Sequence, residues 1–279
     1  MKNYILIGLL FAILLFGCVG QSTPQSPTQT GQSNQVTQTS DSGSTNTNQN
    51  TDDTQSTSVF ESREVNFNSD GWNIYATMHR NSNNPTKVIV LAHMYSHDRY
   101  DYPDYFIEKM QNEIPNSIIM AIDLRGHGRS TNLGDDISLQ TQDIANMKND
   151  VIAAKNYAKN LYPSIREAYA VGASIGSTAT ILASEDREFT KEALLSPAFG
   201  YRDVSTREAI QNFRGKLLIV TSANDDPDSR NSVNSMMEIT GAGSKQLKAY
   251  PEGHGSEIFG VEGSVTPKLD DLLVEFLKN

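Results

Sequence analysis

The sequence contains a single cysteine, Cys18, among 279 residues. A disulfide within one chain needs two cysteines, so none is possible here, whichever compartment the protein occupies. Positive charge is also scarce, because 23 Lys and Arg stand against 33 Asp and Glu and leave a formal net charge of −10. Without a basic patch or a recognisable motif, we expect no nucleic-acid partner. The H-E-x-x-H motif and Cys-rich spacings are missing too, so we expect no metal and no other cofactor.

Long apolar runs are missing except at the N-terminus, where residues 4–16 are mostly apolar and follow Lys2. This run is shorter than the ~20 residues of a membrane span, and it is typical of the apolar core of an export signal. The segment Leu15-Phe16-Gly17-Cys18 resembles a lipobox, in which the chain is cut before the cysteine and the cysteine receives lipid. We therefore predict a lipoprotein-type signal peptide over residues 1–17 and lipidation of Cys18. An ordinary cleaved signal and an uncleaved anchor helix are the alternatives.

Large apolar residues are also missing from the next forty residues, apart from Val19 and Val36. Ser, Thr, Gln and Asn dominate this stretch, which cannot bury enough surface to offset the entropy of ordering it. Residues 18–58 are therefore predicted to be a disordered tether. The tether would join a lipid anchor, at the outer face of the cytoplasmic membrane or the cell surface, to residues 59–279. That remainder has the size of one α/β domain.

Within residues 59–279, short apolar runs alternate with segments of helical periodicity. Continuous apolar runs such as 87–93 and 116–123 are typical of strands buried on both faces, whereas apolar residues recur at helical spacing over 141–161. The alternation predicts a mostly parallel, twisted sheet of about eight strands with helices on both faces. The predicted strands are 64–68, 72–80, 87–93, 116–123, 167–171, 192–196, 216–221 and 246–250, and the predicted helices are 102–112, 141–161, 177–183, 205–212, 229–240 and 269–277.

The pentapeptide Gly172-Ala173-Ser174-Ile175-Gly176 joins the predicted strand 167–171 to a stretch of small residues. A serine on such a sharp strand-to-helix turn exposes its hydroxyl, and glycines on both sides leave room for the strained backbone. The N–H of the next residue, Ile175, lies where a helix begins and can hold an oxyanion. Ser174 is therefore the candidate nucleophile for acyl transfer. A Gly/Ser turn after a buried strand is the alternative explanation.

A serine nucleophile needs a general base, and His254 is the candidate. It follows the last predicted strand and lies between Gly253 and Gly255, which let the loop bend so that the imidazole reaches inward. An ordinary histidine of a surface loop is the alternative. The other four histidines are assigned no catalytic role: His79, His93, His97 and His127.

The base needs an orienting carboxylate, and three aspartates compete for that role after the predicted strand 216–221. Asp225 is preferred because it comes first after the turn that ends the strand, and Asp226 is second. An Asp-rich N-cap is the alternative reading of the cluster, because Asp228 and Ser229 precede a predicted helix. Both readings can hold for different members of the cluster.

The resulting chain order, Ser174 then Asp225 then His254, is the order used by α/β-hydrolases. Residues 59–279 resemble that superfamily, nearest to its small dienelactone-hydrolase-like and serine-aminopeptidase-like members. Two further segments carry the resemblance: 91–95 (LAHMY) is similar to the first oxyanion loop, and 123–130 (DLRGHGRS) matches a D-x-R-G-x-G-x-S block. The resemblance implies an oxyanion hole made by the backbone N–H groups of Tyr95 and Ile175, and a structural role for residues 123–130.

The oxyanion loop departs from the common pattern at Met94, where many relatives have glycine after the histidine. Methionine at a positive φ is strained, so we expect a loop of different shape, which affects Tyr95 more than Ser174. The interval of about twenty residues between Ser196 and Lys216 leaves no room for a large cap domain, so we expect an open site. Five side chains are candidates for an apolar rim, although each is equally explained as core or surface: Met94, Tyr95, Tyr100, Tyr102 and Phe199.

Serine at the elbow favours acyl transfer by a Ser-His-Asp mechanism. The sequence therefore predicts a cell-surface serine hydrolase that cleaves carboxylic esters or lactones, with a small-molecule ester as substrate. A peptidase or amidase on the same fold is one alternative, and a catalytically silent surface-binding protein is another. The sequence leaves the oligomeric state open.

Overall fold

The computed structural model describes residues 59–131 and 139–279. The predicted signal peptide, the lipidation of Cys18 and the tether over 18–58 lie outside the described residues and stay predictions. Within the described ranges, no helix combines the length and the apolarity that a membrane crossing requires.

Eight strands form one sheet in the order β1-β2-β4-β3-β5-β6-β9-β10. β2 pairs antiparallel with β1 and β4, and the other neighbours pair in parallel. The carboxyl ends of the parallel strands therefore share one edge, where ligands bind in open α/β sheets. The strands are β1 (Glu61–Ser69), β2 (Trp72–Arg80), β3 (Lys87–Ala92), β4 (Ser117–Ile122), β5 (Glu167–Ala173), β6 (Phe189–Leu195), β9 (Lys216–Ser222) and β10 (Ser244–Tyr250).

Helices cover both faces of the sheet. Successive residues of a strand point to opposite faces, so alternate residues of one strand pack in different cores. Val88 and Val90 of β3 pack in one core with α2 and α3, whereas Ile89 and Leu91 pack in a second core with α1 and α6. A third group of buried side chains joins α3, α4 and α5 to β6 and β9. The helices are α1 (Asp104–Glu113), α2 (Thr141–Leu161), α3 (Ile175–Ala183), α4 (Arg207–Asn212), α5 (Pro227–Ile239) and α6 (Leu269–Lys278).

The predicted elements agree with these bounds most closely where periodicity is long, as in α2. The largest differences are of three residues: β1 begins at Glu61 rather than at residue 64, and β6 begins at Phe189 rather than at residue 192. The cause can be seen in β6. Thr190 is exposed, and Lys191 is a buried lysine whose Nζ donates to the carbonyl of Leu277 at 2.8 Å. These polar residues conceal the start of the strand from a pattern of apolar residues.

A small hairpin occupies the interval in which we expected no large cap domain. β7 (Gly200–Tyr201) pairs antiparallel with β8 (Val204–Ser205). The two residues of the turn, Arg202 and Asp203, have φ values of 44° and 66°. Positive φ at both central residues is the geometry of the two-residue turns that match strand twist. The hairpin was not predicted, because neither turn residue is a glycine and each strand has only two residues.

Candidate active site

Ser174 lies on the turn between β5 and α3, with φ 53° and ψ −114°. A non-glycine residue at positive φ is strained, and such residues concentrate at functional sites. The turn is held by the N–H of Ser174, which donates to the carbonyl of Leu195 at 2.9 Å, and by the carbonyl of Ser174, which accepts from the first turn of α3. The strained backbone presents the half-buried Ser174 side chain at the carboxyl edge of the sheet.

The two glycines of the pentapeptide are required by close packing. A Cβ on Gly172 would lie 2.2 Å from the carbonyl oxygen of Gly176, and a Cβ on Gly176 would lie 2.2 Å from the carbonyl oxygen of Ala92. The first turn of α3 therefore packs directly against the end of β3, where the predicted oxyanion loop begins.

Ser174, His254 and Asp225 form one chain of hydrogen bonds. His254 Nε2 lies 2.8 Å from Ser174 Oγ, and His254 Nδ1 lies 2.6 Å from Asp225 Oδ1. Because the carboxylate accepts the Nδ1 proton, Nε2 is left as the nitrogen that can accept a proton from the hydroxyl. Gly253 and Gly255 have φ values of 95° and 57°, so the loop bends at the two glycines as expected.

The charges of Asp225 and His254 stabilise each other. Burial alone would raise the pKa of Asp225, but hydrogen bonds from His254, Ser196 and Thr221 outweigh it and hold the pKa below its usual value. The hydrogen bond to Asp225 raises the pKa of His254 above 6.5, against the opposing effect of burial. The pair therefore favours an ionised carboxylate and an imidazole of increased basicity.

The structure separates the competing aspartates. Asp226 is the N-cap of α5, and its carboxylate accepts the backbone N–H of Asp228 at 2.8 Å. Pro227 occupies the first turn, where a proline is well tolerated. Asp225 contacts the histidine while Asp226 caps the helix, so the N-cap reading applies to Asp226 and Asp225 stays the predicted acid. Asp228 is exposed and makes no contact with His254.

The two predicted oxyanion donors have free N–H groups, since no described residue accepts a hydrogen bond from the backbone of Tyr95 or Ile175. The expected strain at Met94 is absent, because the left-handed residue of the loop is Ser96, at φ 63°. Met94 donates its N–H to Asp101 Oδ2 at 3.0 Å. The Met94 side chain packs against Gly255, the residue after His254. A Cβ on Gly255 would lie 2.5 Å from Met94 Sδ.

The other histidines serve different contacts. His93 is fully buried, its Nε2 accepts the N–H of Leu124 at 3.0 Å, and burial lowers its pKa to about 3. Burial also lowers the pKa of His127, whose ring meets Tyr95 edge to face at 5.2 Å. His79 bonds Ser62, and His97 bonds Asp101. None of these rings has a hydrogen bond to Ser174 among the described contacts.

Residues 123–130 form a scaffold beside the site. The carboxylate of Asp123 accepts the backbone N–H groups of Arg99 and Arg129, at 2.7 and 2.8 Å. A Cβ on Gly128 would lie 2.4 Å from that carboxylate, so the close approach requires glycine. Arg125 is buried and forms an ion pair with Asp150 at 2.7 Å. These contacts hold the loop, and none of them reaches Ser174.

The rim candidates divide between core and surface. Met94 and Tyr102 belong to the core, and the Tyr102 hydroxyl donates to the carbonyl of Ala92 at 3.0 Å. Tyr95 is exposed, and the Arg202 guanidinium at the tip of the hairpin lies 4.8 Å from its ring. Sequence reasoning missed this neighbour, because nothing local to Arg202 marks it as close to residue 95. Tyr100 is also exposed, and Phe199 is half-buried beneath Arg207.

Sequence reasoning also missed Ser196, which donates to Asp225 Oδ2 at 2.6 Å. Its position just after β6, at the carboxyl edge of the sheet, was the available signal. In the described part of the chain, no group of three or more His, Cys, Asp or Glu side chains is arranged to hold a metal ion.

No family model and no curated protein sequence matches this chain. Solved structures do resemble it. The Pyrococcus furiosus esterase Pf2001 is 19% identical, with a TM-score of 0.64 over 78% of this chain and 90% of that chain. A dienelactone hydrolase from Anabaena variabilis is 18% identical, with a TM-score of 0.61 over 78% and 97%. An acylaminoacyl peptidase from Pyrococcus horikoshii is 15% identical, with a TM-score of 0.63 over 79% and 42%. The chain has the α/β-hydrolase fold.

Proposed function

We propose that this protein is a serine hydrolase that cleaves carboxylic esters or lactones through an acyl-enzyme. The observation that carries the proposal is the chain of two hydrogen bonds, 2.8 and 2.6 Å long, from Ser174 through His254 to Asp225. A nucleophile, a base and an orienting acid in contact at the carboxyl edge of the sheet are the groups that acyl transfer requires. Esterases among the solved structures of the same fold add support.

In the proposed reaction, Ser174 Oγ attacks the carbonyl carbon while His254 Nε2 takes its proton. Asp225 stabilises the imidazolium that forms, and the N–H groups of Tyr95 and Ile175 donate to the oxyanion. Each such donor contributes ~3 kcal/mol to stabilising the transition state. The tetrahedral intermediate collapses, and the leaving alcohol takes the proton from His254. Water, deprotonated by His254, then releases the acid and restores the Ser174 hydroxyl.

Amide cleavage is the second candidate, because the same groups perform it and the acylaminoacyl peptidase shares the fold. Between Ser196 and Lys216 the described elements are the hairpin of β7 and β8 and the six-residue α4, neither of which has the size of a cap domain. The small size of these elements supports small esters as substrates. A silent binding protein is disfavoured because binding alone does not need Ser174, His254 and Asp225 in contact.

Hydrolysis of p-nitrophenyl esters of increasing acyl length tests the proposal, with peptide p-nitroanilides measured in parallel. Residues 59–279 should release nitrophenol, and Ser174→Ala should abolish the release. Ser244→Ala, at an exposed site where β10 begins, is the matched control and should keep full activity. Equal turnover in wild type and Ser174→Ala would sink the ester proposal, and Ser174-dependent release from anilides alone would favour the amidase.

We also propose that the protein is lipid-anchored through Cys18 and held at the outer face of the cytoplasmic membrane by residues 18–58. The lipobox-like sequence and the polar composition of the tether support this location. Since a single acyl chain anchors only marginally, stable attachment needs more than one chain. Cys18→Ala should move the protein from the membrane fraction to the soluble fraction. If it stays in the membrane fraction, the apolar segment 4–16 is an uncleaved anchor.

A further inference from the structure

The carboxylate of Asp225 has more partners than the histidine alone. Its Oδ1 accepts from His254 and from the backbone N–H of Asp226, while its Oδ2 accepts the hydroxyls of Ser196 and Thr221 at 2.6 and 2.9 Å. Ser196 differs from Thr221 because its hydroxyl also accepts the backbone N–H of Gly255, at 2.7 Å. We propose that Ser196 is a positioning residue that fixes the carboxylate of Asp225 and the imidazole of His254 relative to each other in the proposed hydrolase.

One hydroxyl thereby connects three segments that are distant in sequence. Ser196 follows β6, Asp225 lies in the loop after β9, and Gly255 lies in the loop after β10. Ser196 is 2% exposed, so water does not compete freely for these hydrogen bonds. Gly255 directly follows His254, and fixing its N–H fixes the backbone from which the imidazole projects. A buried bond between charged and neutral partners is stronger than its exposed equivalent.

The backbone of Ser196 gives a second, independent observation. Its φ is 52°, in the left-handed region that glycine adopts without steric cost. The strained residue is held there by its N–H, which donates to the carbonyl of Val220 at 2.8 Å. Glycine would satisfy the backbone better but has no hydroxyl. Serine at this position therefore carries backbone strain that glycine would avoid, and its hydroxyl makes two hydrogen bonds that glycine lacks.

The geometry defines what the hydroxyl does. The Ser196 hydroxyl makes the shortest hydrogen bond to Asp225 Oδ2, at 2.6 Å, whereas Thr221 Oγ1 lies at 2.9 Å and the Ser222 N–H and Ser229 Oγ lie at 3.3 Å. This bond restrains the carboxylate whose Oδ1 meets His254 Nδ1. The bond from the Gly255 N–H restrains the backbone next to His254. The side chain of Ser222, the last residue of β9, donates to the carbonyl of Gly253 at 2.6 Å and joins the same two loops independently of Ser196. Loss of Ser196 should therefore loosen the pair without unfolding the loop.

Ser196→Gly and Ser196→Ala test this role, because the first also relieves the backbone and the second keeps the Cβ. Both should lower kcat for a p-nitrophenyl ester by roughly 10- to 100-fold, the loss expected from a displacement of about 1 Å, with little change in KM. The matched control is Arg187→Gly, since Arg187 is exposed, has φ 60° and lies beyond the C-terminal end of α3, whereas Ser174 lies at its N-terminal end. It should keep full activity.

A double-mutant cycle with Asp225→Asn separates positioning from general stability. If Ser196 acts through the carboxylate, Ser196→Gly should cost little further kcat once Asp225 is replaced. Independent losses that multiply, or a Ser196→Gly variant with wild-type kcat, would overturn the assignment.

The role rests on the proposed hydrolase, so a second readout is independent of turnover. Titration of His254 followed by NMR should give a pKa above 6.5 in the wild type, lowered in Ser196→Gly and unchanged in Arg187→Gly. Absence of Ser174-dependent turnover would count against the hydrolase, while this titration still decides on Ser196. An identical His254 pKa in the wild type and in both Ser196 variants would contradict positioning.

Discussion

His254 is subject to two opposing influences on its protonation. The hydrogen bond and the charge of Asp225 favour the imidazolium, and partial burial disfavours it, with the net result that its pKa is raised. In the proposed hydrolase, a base of increased basicity accepts the serine proton more readily but is protonated, and inactive, over a wider acidic range. The contact with Asp225 would then set both the strength of the base and the pH at which it becomes available.

We expect kcat/KM to rise with pH along a limb whose pKa lies above 6.5, because only neutral His254 can accept the proton of Ser174. Asp225→Asn removes the largest cause of the raised pKa, so the limb should move to lower pH. The same variant should lower kcat by about 10⁴-fold, since the favoured tautomer is lost. Asp228→Asn, exposed and without contact to His254, is the control and should keep the wild-type profile. A limb at the same pH in wild type and Asp225→Asn would contradict this assignment.

Glu192 of β6 is a buried carboxyl group with no hydrogen-bond partner for either oxygen among the described residues. Burial raises its pKa well above 4.5, so the folded protein retains a proton that the unfolded chain loses. The sign follows directly: the stabilising effect of the bound proton is complete below pH 4.5 and is lost as the pH rises through the folded pKa.

The free energy of unfolding should therefore fall as the pH rises above 4.5 in the wild type. Each pH unit between 4.5 and the folded pKa costs about 1.4 kcal/mol. Glu192→Gln cannot ionise and should show a flatter profile when urea unfolding is measured over the same pH range. Glu238→Gln, an exposed site, should keep the wild-type slope. A slope that Glu192→Gln leaves unchanged would show that the carboxyl group does not carry the effect.

Among the elements, α3 depends on close contact more than on propensity. It has nine residues, and its first turn packs against the carbonyl groups at the end of β3. The contact sets the distance between the N-terminus of α3 and the loop that carries Tyr95. A short helix of small residues is therefore well suited to bring the two predicted oxyanion donors to one edge.

Gly176→Ala should push α3 away from β3, because the new Cβ would lie 2.2 Å from the carbonyl oxygen of Ala92. Overpacking of this kind costs about 1–3 kcal/mol of stability, and kcat should fall by roughly 100-fold through displacement of Ser174. Gly200→Ala is the matched control, since its Cβ would meet only the carbonyl oxygen of Val204 at 3.7 Å. Thermal unfolding and ester hydrolysis measure both effects. Wild-type stability in Gly176→Ala would refute the packing argument.

At the scale of the whole molecule, the described elements run from β1 to α6, and residues 132–138 lie outside the described ranges. The sheet begins at Glu61, and its three groups of buried side chains draw on residues from 65 to 277. The described members of these cores all lie within residues 59–279. The predicted division at residues 58 and 59 would assign folding to one part of the chain and location to the other, and it stays a prediction.

We predict that residues 59–279 expressed alone have the same melting temperature and the same kcat/KM for a soluble ester as residues 18–279. Both quantities are determined by the cores and by Ser174, His254 and Asp225, all of which lie in the shorter protein. Differential scanning calorimetry and the nitrophenyl assay provide the comparison. A shorter protein that melts lower by more than about 2–4 °C, equivalent to about 1 kcal/mol, would show that the tether contributes contacts to the domain.

Local sequence patterns predict much of the architecture and the positions of the candidate site residues. Some signals involve only residues that are close in sequence, so they can be read without tertiary contacts. They are the period of α2, the apolar runs of β3 and β4, and the glycines around Ser174 and His254. The chain order of the three candidate residues also follows from sequence. Their roles as nucleophile, acid and base remain predictions until turnover is measured.

Tertiary contacts decided the rest. Asp225 and Asp226 are adjacent and chemically identical, and only the direction of the loop after β9 assigns one to His254 and the other to α5. The link from Ser196 to Gly255 spans 59 residues, and the burial of Glu192 depends on its neighbours in the sheet. Such relations arise from side chains brought together by the folding of distant segments, and no local pattern of hydrophobicity or turn residues encodes them.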